Sequence, residues 1–268
     1  MIISDCHLHT SISSDSETPM KDMVESAIAK GLKTITFTEH MDLEFPTYYN
    51  MSFVFDTEEY FDAVNKCKNI YGNDIEILYG IELGLKMNLK NKYDTLLAED
   101  TWDFVIGSTH LVDDIDPYYK EYWDGQSEYE GIKRYFEAVY ENIKDCDLFD
   151  SLGHMDYILR YNPHKPSAYR YEDFNKIIDD ILRFIIKHDI ALEINTSGYH
   201  KLNAPNPSKQ IIERYKGLGG KLFTIGSDAH DTANIAYSFD ELLKLLYSLD
   251  IREYAIFKNR TPHMISLK

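Results

Sequence analysis

Short runs of strand-forming residues alternate with helix-length segments along the chain. The strand-type runs are MIISDCH, KTITFTEH, IEILYGIEL, WDFVIGSTH, LFDSLGH, IALEINTS and KLFTIGSDAH, with a last short run, YAIF. Segments of helical periodicity lie between them at about 19–31, 57–71, 89–98, 128–145, 171–188, 207–218 and 232–248. Seven or eight such β/α units in 268 residues favour a parallel barrel of the TIM type over an open sheet.

Charge and cysteine content argue against several classes of protein. The chain has 45 acidic and 28 basic residues and a net charge of −17, which repels a phosphate backbone, so we expect no nucleic-acid partner. The three separated cysteines, Cys6, Cys67 and Cys146, are typical of a reduced, cytoplasmic protein. We expect neither secretion nor membrane insertion, because we find no leader and no apolar run of about 18 residues. The sequence gives no indication of an oligomeric state.

Two connections after predicted strands are longer than a barrel requires, at about 41–57 and 111–128. Both are rich in aromatic residues, which are Phe45, Tyr48, Tyr49, Phe53 and Phe55 in the first and Tyr118, Tyr119, Tyr122 and Trp123 in the second. Long loops that follow strands form the rim of barrel active sites. We expect most of these side chains to pack within the loops and a few to contact a ligand.

Polar residues collect where the predicted strands end. Six of the ten histidines lie at a strand end or in the turn after it, and they are His7, His9, His40, His110, His154 and His230. Glu82 and Asp228 occupy similar positions, and Asp15 follows His9 by six residues. The carboxyl ends of parallel barrel strands converge on one face, so these side chains are predicted to meet in one mouth. A single histidine at such a position is more often a hydrogen-bonded residue than a ligand, but the joint placement favours ligation.

The HxH pair indicates what the mouth holds. Side chains at i and i+2 of a strand point the same way, so His7 and His9 can present two imidazoles to one metal ion. The GSDAH segment repeats the spacing with Asp228 and His230, and Glu82 offers a carboxylate able to bridge two cations. Imidazole and carboxylate without thiolate suit zinc, iron or manganese.

Taken in order, these motifs resemble those of the PHP (polymerase and histidinol phosphatase) family of metal-dependent phosphoesterases. The resemblance rests on DCHLHTS, FTEH, GIE, GSTH, GHMD and GSDAH, which extend over nearly the whole chain. It implies one PHP domain over residues 1–268 and an α/β fold, a distorted TIM-like (β/α)7 barrel, which lowers the expected strand number to seven.

The resemblance also implies a site for two to three divalent transition metal ions. By position, one ion would be held by His7, His9, Glu82 and Asp228, a second by Glu82, His110 and His154, and a third by Asp15, His40 and His230. Some family members have histidine where this chain has Asp15, so the third position differs within the family.

Within the family, the length, the aromatic loops and the segment GHMDYILRY are similar to those of the histidinol-phosphate phosphatases. This similarity implies hydrolysis of L-histidinol phosphate in histidine biosynthesis, with Arg160 binding the phosphate. Without the family resemblance, the sequence would predict that Arg160 is a surface residue in a salt bridge. After the sixth strand the chain offers His200 and Lys201 but no second arginine, and we list His200 with Arg160 as a substrate-binding candidate.

The implied chemistry is metal-assisted attack on phosphorus. Water held between two metals, with its pKa lowered to about 7, would supply hydroxide for in-line attack. We assign catalytic roles to Glu82, Asp228 and His230. The candidates to protonate the leaving alkoxide are water on the third metal, His230 and Asp228. Aromatic rings could stack on the substrate imidazole, and an acidic group such as Asp42 could pair with its ammonium group. Glu44, Asp113, Asp114 and Asp116 are further candidates for the ammonium group.

Two other functions fit parts of the pattern. A PHP phosphatase acting on nucleoside bisphosphates, RNA ends or other small phosphate monoesters would share the ligand set, although the acidity of the chain disfavours nucleic acid. A non-catalytic metal-binding module would have no use for open coordination positions, and the full ligand set argues against it.

Overall fold

The computed structural model describes residues 1–162 and 169–267. Seven parallel strands lie side by side in chain order and form a nearly closed barrel. They are β1 (Ser4–Leu8), β2 (Thr34–Met41), β3 (Glu76–Gly84), β4 (Phe104–Ser108), β5 (Ser151–Leu152), β6 (Ala191–Asn195) and β7 (Phe223–Gly226). The prediction of a distorted (β/α)7 barrel is confirmed.

The distortion lies at the seam between β7 and β1, where no regular ladder forms. The seam is joined just beyond β7, where Asp228 N–H donates to the His7 carbonyl at 2.9 Å and His9 N–H donates to the Ala229 carbonyl at 2.9 Å. Deeper in the seam, the fully buried Asp5 accepts hydrogen bonds from Ser227 N–H at 2.8 Å and from its hydroxyl at 2.5 Å. The same backbone bonds that close the barrel therefore bring Asp228 beside the HxH pair.

Helices connect the strands on the outside of the barrel. They are α1 (Met20–Ala29), α2 (Thr57–Tyr71), α3 (Lys90–Ala98), α4 (Lys120–Trp123), α5 (Glu128–Asp145), α6 (Tyr171–Lys187), α7 (Tyr199–Leu202), α8 (Lys209–Gly217) and α9 (Phe239–Ser248). Helix α6 shows why they pack: Phe174, Ile178, Ile181, Leu182 and Ile185 recur at helical spacing and are all buried. At the start of α5, Ser127 and Glu130 form a reciprocal capping box. No helix in the described ranges combines the length and apolar character needed to cross a membrane.

The predicted helix 232–248 is wrong in its first half, because α9 begins only at Phe239. The side chain of Asp231 accepts hydrogen bonds from the backbone of Ala233 and Asn234, which holds this stretch in a turn. Ala236 N–H donates to the buried Asp5 instead of continuing a helix. Residues 231–238 thus fasten the carboxyl side of β7 to β1.

The last predicted strand run does not join the barrel. It forms β8 (Glu253–Lys258), which pairs with β9 (Thr261–Ser266) in an antiparallel hairpin. Tyr254 accepts a hydrogen bond from the Ser4 hydroxyl at 2.8 Å, and Arg260 donates to Asp150 at 2.5 Å. Ser4 begins β1 and Asp150 immediately precedes β5, so the hairpin covers the amino-terminal end of the barrel and leaves the opposite end as its mouth.

Candidate active site

The structure brings all nine predicted metal ligands to the carboxyl-terminal mouth of the barrel. Strands β1, β2 and β3 carry His7, His40 and Glu82, and His9 follows β1 directly. His110, His154, Asp228 and His230 lie in the first residues after β4, β5 and β7, and Asp15 lies in the turn after β1. His7, His9 and Glu82 have no exposed surface, whereas the side chain of Asp15 is 31% exposed.

Glu82 lies at the centre of this cluster, and its two oxygens face different histidines. Oε1 lies 2.9 Å from His154 Nε2 and 3.2 Å from His110 Nε2. Oε2 lies 2.8 Å from His40 Nδ1 and 3.2 Å from His7 Nε2. A carboxylate placed in this way can bridge two cations, one on each side.

The other two carboxylates complete the three predicted groups. Asp228 Oδ1 lies 3.5 Å from His9 Nε2 and 3.7 Å from His7 Nε2. Asp15 Oδ2 lies 3.4 Å from His40 Nε2 and 3.1 Å from His230 Nε2. The groupings expected from the sequence are therefore close in space, and their role as metal ligands stays a prediction.

Hydrogen bonds donated by Nδ1 orient several of these imidazoles. His7 Nδ1 lies 2.5 Å from a Glu193 oxygen, and His110 Nδ1 lies 2.7 Å from an Asp42 oxygen. His230 Nδ1 lies 3.0 Å from the carbonyl oxygen of Asp228. Each partner is an acceptor, so Nδ1 carries the proton and Nε2 presents its lone pair to the cluster.

His9 is oriented through a hydroxyl. The Ser13 hydroxyl donates a hydrogen bond to Glu39 at 2.6 Å. Toward His9 Nδ1, which lies 3.3 Å away, the Ser13 oxygen can therefore only accept. Glu39 also accepts hydrogen bonds from Ser13 N–H and from Thr10, which fixes the turn after β1. His9 Nε2 is left facing the cluster.

Several buried atoms of the cluster lack a hydrogen-bond partner. Among them are His7 Nε2, His9 Nε2, His40 Nδ1, His154 Nδ1 and Glu82 Oε2; those that lie near each other are not aligned for a hydrogen bond. Unpaired polar atoms are costly inside a protein, and these converge: the ligand atoms of His7, His9 and Glu82 lie within 4.8 Å of one another, as do those of Glu82, His110 and His154. This set of buried nitrogen and oxygen donors fits divalent cations.

The electrostatics of the cluster favour positive charge. Burial disfavours ionisation of Glu82, yet the facing His7 and His40 hold its pKa well below the usual range. Burial likewise disfavours protonation of His40, yet Glu82 and Asp15 raise its pKa well above the ordinary value. Glu82 is therefore ionised at neutral pH, and protons or metal cations are stabilised around it.

Arg160 lies beside this cluster and is buried, so its interpretation as a surface salt-bridge residue is wrong. Its side chain is 8% exposed, and Nη1 donates to Asp228 Oδ2 at 3.2 Å. Nε donates to Asn206 at 2.6 Å and Nη2 to Asn195 at 3.1 Å, while the guanidinium lies over the Tyr157 ring at 5.3 Å. These contacts hold the guanidinium at the wall of the mouth.

A cavity of about 380 Å³ opens above the cluster. Its lining residues are Asp15, His40, Asp42, Phe45, Met51, Phe53, His110, Asp116, Tyr118, Tyr119, His154, Tyr157, Arg160, Tyr161, Asp228 and His230. The two long loops form its rim, and they pack on each other through the rings of Tyr49 and Tyr119, whose centroids are 4.5 Å apart. The cavity therefore has a polar floor and an aromatic rim.

Of the two other substrate-binding candidates, one lines the cavity and the other does not. Asp42 lines the cavity but is buried against His110, whose Nδ1 it holds. His200 lies outside the lining: it is exposed and stacks on Tyr237 with a centroid separation of 3.8 Å. The sequence placed His200 near the site because it follows β6, but the short helix α7 carries its side chain away from the mouth.

Comparison with known proteins agrees with this geometry. The model of the PHP domain matches residues 5–197. The chain belongs to the PHP domain family.

Relatives of this PHP protein are similar over nearly their whole length. A probable histidinol-phosphatase from Clostridium acetobutylicum is 32% identical, with 94% of this chain and 95% of that protein aligned. A histidinol-phosphatase from Lactococcus lactis is 31% identical, with 94% and 93% aligned. The crystal structure of histidinol phosphate phosphatase from Lactococcus lactis, complexed with zinc, L-histidinol and phosphate, superposes with a TM-score of 0.89 at 29% identity, covering 97% of this chain and 98% of that one.

Sequence reasoning on this PHP protein missed the residues that support the predicted ligands and Arg160. Glu39 and Ser13 hold His9, Glu193 contacts His7, and Asn195 contacts Arg160. A signal was available for two of them, because Glu193 and Asn195 are polar residues two apart in the otherwise apolar run IALEIN. The contacts of Glu39 and Ser13 depend on the fold of the turn after β1.

We predict that Glu82→Gln loses metal on both sides of the bridge. The neutral amide removes the charge that attracts both cations, and its donating NH2 group replaces the oxygen on one side. Elemental analysis should show at least two fewer equivalents than the parent binds, while the circular dichroism spectrum is retained. Glu76→Gln, at the other end of β3 and paired with Lys258, is the matched control. Unchanged metal content in Glu82→Gln would rule out the bridge.

Proposed function

We propose that this PHP protein is a metal-dependent histidinol-phosphatase that hydrolyses L-histidinol phosphate to L-histidinol and phosphate in histidine biosynthesis. The observation that carries the proposal is one cavity with a cluster of histidines and carboxylates on its floor, a buried arginine in its wall and aromatic rings at its rim. The substrate has matching parts, which are a phosphate, an ammonium group and an imidazole. Relatives that bear this activity in their names align over more than nine-tenths of the chain.

The metal centre is proposed to hold two to three ions of zinc, iron or manganese. His7, His9, Glu82 and Asp228 would hold one ion, Glu82, His110 and His154 a second, and Asp15, His40 and His230 a third. Bound divalent ions lower the pKa of water and neutralise phosphate oxygens, which is the chemistry that monoester hydrolysis needs. Glu82 contributes by holding two of these positions at a fixed separation.

Arg160 is proposed to bind the substrate phosphate. Its planar donors match phosphate geometry, and Asn195 and Asn206 fix the plane of the group before substrate arrives. Asp228 accepts from one nitrogen and so orients the same guanidinium toward the floor of the cavity.

Of the two side chains predicted as proton donors, His230 is favoured over Asp228 when the third metal position is empty. A cation on His230 Nε2 would take the place of that proton, and water on the third ion is then the remaining candidate. Burial opposes ionisation of Asp228, but His7, His9 and Arg160 hold its pKa well below the usual range, so its carboxylate has no proton to give. His230 lines the cavity, its side chain is 30% exposed, and Asp15 and Asp228 raise its pKa despite burial.

Asp116 is the acidic residue proposed to bind the substrate ammonium group. Three of the other candidates are engaged elsewhere on the surface: Glu44 pairs with Lys92, Asp113 with Arg134, and Asp114 with Lys86. Asp42 already accepts a hydrogen bond from His110 Nδ1. Asp116 lines the cavity, and of its two oxygens one accepts a hydrogen bond from Tyr118 N–H at 2.8 Å.

We further propose that residues 1–268 form one domain and that the protein is cytoplasmic. The hairpin of β8 and β9 packs on the amino-terminal end of the barrel, so the last described residues belong to the same fold. The three cysteines are buried and free, as in proteins of reducing compartments.

The decisive experiment is phosphate release from L-histidinol phosphate by the purified protein. We expect turnover that a chelator abolishes and that added zinc, iron or manganese restores. Adenosine 3',5'-bisphosphate, assayed side by side, should be a much poorer substrate. A reversed preference would identify a nucleotide phosphatase, and metal binding without turnover of either ester would identify a binding module.

We predict that Arg160→Ala raises KM and lowers kcat/KM for L-histidinol phosphate by roughly tenfold to a hundredfold, the loss expected for a charge-assisted hydrogen bond. Steady-state kinetics and metal analysis measure this, and metal content should be unchanged. Arg170→Ala removes an exposed arginine paired with Asp173 and should leave the kinetics unaltered. Parent-like kinetics in Arg160→Ala would remove this residue from the phosphate site.

We predict that Asp116→Asn weakens use of L-histidinol phosphate in a pH-dependent way. Burial raises the pKa of Asp116 to about 6, so the parent carboxylate is ionised above that pH and attracts the ammonium group only there. The ratio of parent to mutant kcat/KM should therefore grow as pH rises through about 6. Asp114→Asn, an exposed and ion-paired control, should give a flat ratio, and a flat ratio for Asp116→Asn itself would contradict the assignment.

A further inference from the structure

Strand β6 carries none of the proposed metal ligands, yet two of its side chains contact the cluster of histidines or Arg160 beside it. Glu193 and Asn195 lie two residues apart, so they share one face of the strand, and both are buried. Asn195 Nδ2 donates to Glu193 Oε2 at 3.2 Å, and its Oδ1 accepts from Arg160. The polar face of β6 thus lies between the cluster and the phosphate-binding arginine.

Glu193 contacts two histidines that belong to different proposed metal positions. Its Oε1 lies 2.5 Å from His7 Nδ1, and its Oε2 accepts a hydrogen bond from His154 N–H at 2.7 Å. His7 belongs to the first proposed ion and His154 to the second. One carboxylate therefore fixes the ring of one ligand and the backbone of another.

We infer that Glu193 is a positioning residue of the metal centre, acting through the ring of His7 and the backbone of His154. This inference rests on the proposed function of the cluster. By accepting a hydrogen bond from His7 Nδ1, Glu193 holds His7 in the tautomer whose unprotonated Nε2 faces Glu82 and Asp228. The same hydrogen bond makes Nε2 a better electron-pair donor to a cation. By holding His154 N–H, it sets the backbone from which the His154 imidazole reaches Glu82.

The packing around the pair supports this inference. A Cβ atom added to Gly226 would lie 2.3 Å from His7 Cβ and 3.0 Å from Glu193 Oε1, so the side-chain-free position in β7 leaves room for the pair. Among the described residues, the ion pair recorded for Glu193 is the one with His7, and no lysine or arginine pairs with it. The buried carboxylate therefore acts on the cluster through His7.

Replacing Glu193 by glutamine tests the inference, because a single amide cannot serve both histidines. If the amide oxygen faces His7, the NH2 group faces the donating His154 N–H, and that hydrogen bond is lost. If the oxygen faces His154, the NH2 group faces His7 Nδ1 and favours the tautomer with a proton on Nε2, which cannot bind a cation. Both orientations weaken the metal centre.

The experiment is a competitive titration of chelator-treated protein with zinc. In Glu193→Gln we expect the affinity for at least one zinc ion to fall roughly tenfold to a hundredfold, the usual effect of removing a carboxylate that holds a ligating histidine. Thermal unfolding in the presence of chelator should stay close to that of the parent. Asp150→Asn is the matched control, since this buried carboxylate lies at the opposite end of the barrel, and it should lose thermal stability but keep its zinc affinity.

Gly226→Ala provides a second variant that keeps the carboxylate but displaces the pair, and it too should bind zinc more weakly. Parent zinc affinity in Glu193→Gln overturns the inference and leaves the proposed function intact. The inference is also overturned if Glu193→Gln binds zinc more weakly but, with chelator present, loses as much thermal stability as Asp150→Asn. The role of Glu193 would then be structural. Absence of zinc binding by the parent protein would instead overturn the proposed function.

Discussion

The buried carboxylate of Glu82 and the imidazoles around it are the interaction on which the rest of the site depends. An ionised carboxylate without solvent contact is stable only where positive charge or strong donors surround it. Here histidines from the ends of four other strands approach it, and the Ser108 hydroxyl donates to Oε1 at 2.6 Å. His40 and Glu82 are register partners in the parallel ladder of β2 and β3, so the sheet itself sets one of these contacts.

A second layer of polar residues makes this arrangement rigid. Asp42, Glu193 and the Ser13–Glu39 pair each engage the Nδ1 side of a histidine, so the rings have defined tautomers as well as positions. Asp5 joins β1 to the segment after β7, where the barrel lacks a regular ladder. The distortion of the barrel and the geometry of the site thus have one cause, since closure through residues 227–229 places Asp228 against the HxH pair.

The polarity of the cavity follows from this construction. Its floor consists of histidines and carboxylates that fit divalent cations, its wall holds Arg160, and its rim is aromatic because two long loops pack on each other there. For a protein with a net charge of −17, attraction of a phosphate dianion must come from the floor and wall of the pocket rather than from the overall field. The acidic surface is therefore compatible with the proposed phosphate-binding site.

The sequence by itself determined the β/α alternation, the parallel barrel architecture and the placement of eight polar residues at or just after strand ends, with Asp15 in the turn after the first strand. These features are local, since periodicity and spacing along the chain fix which side chains share a face. The tertiary structure decided what depends on contacts between distant segments. Arg160, which the sequence pattern alone would place on the surface, is buried in the wall of the cavity. His200, on helix α7, stacks on Tyr237 outside the cavity. The supporting partners Glu193, Ser13 and Glu39 could not be assigned from spacing, because hydrogen bonds between residues far apart in sequence exist only once the barrel has closed.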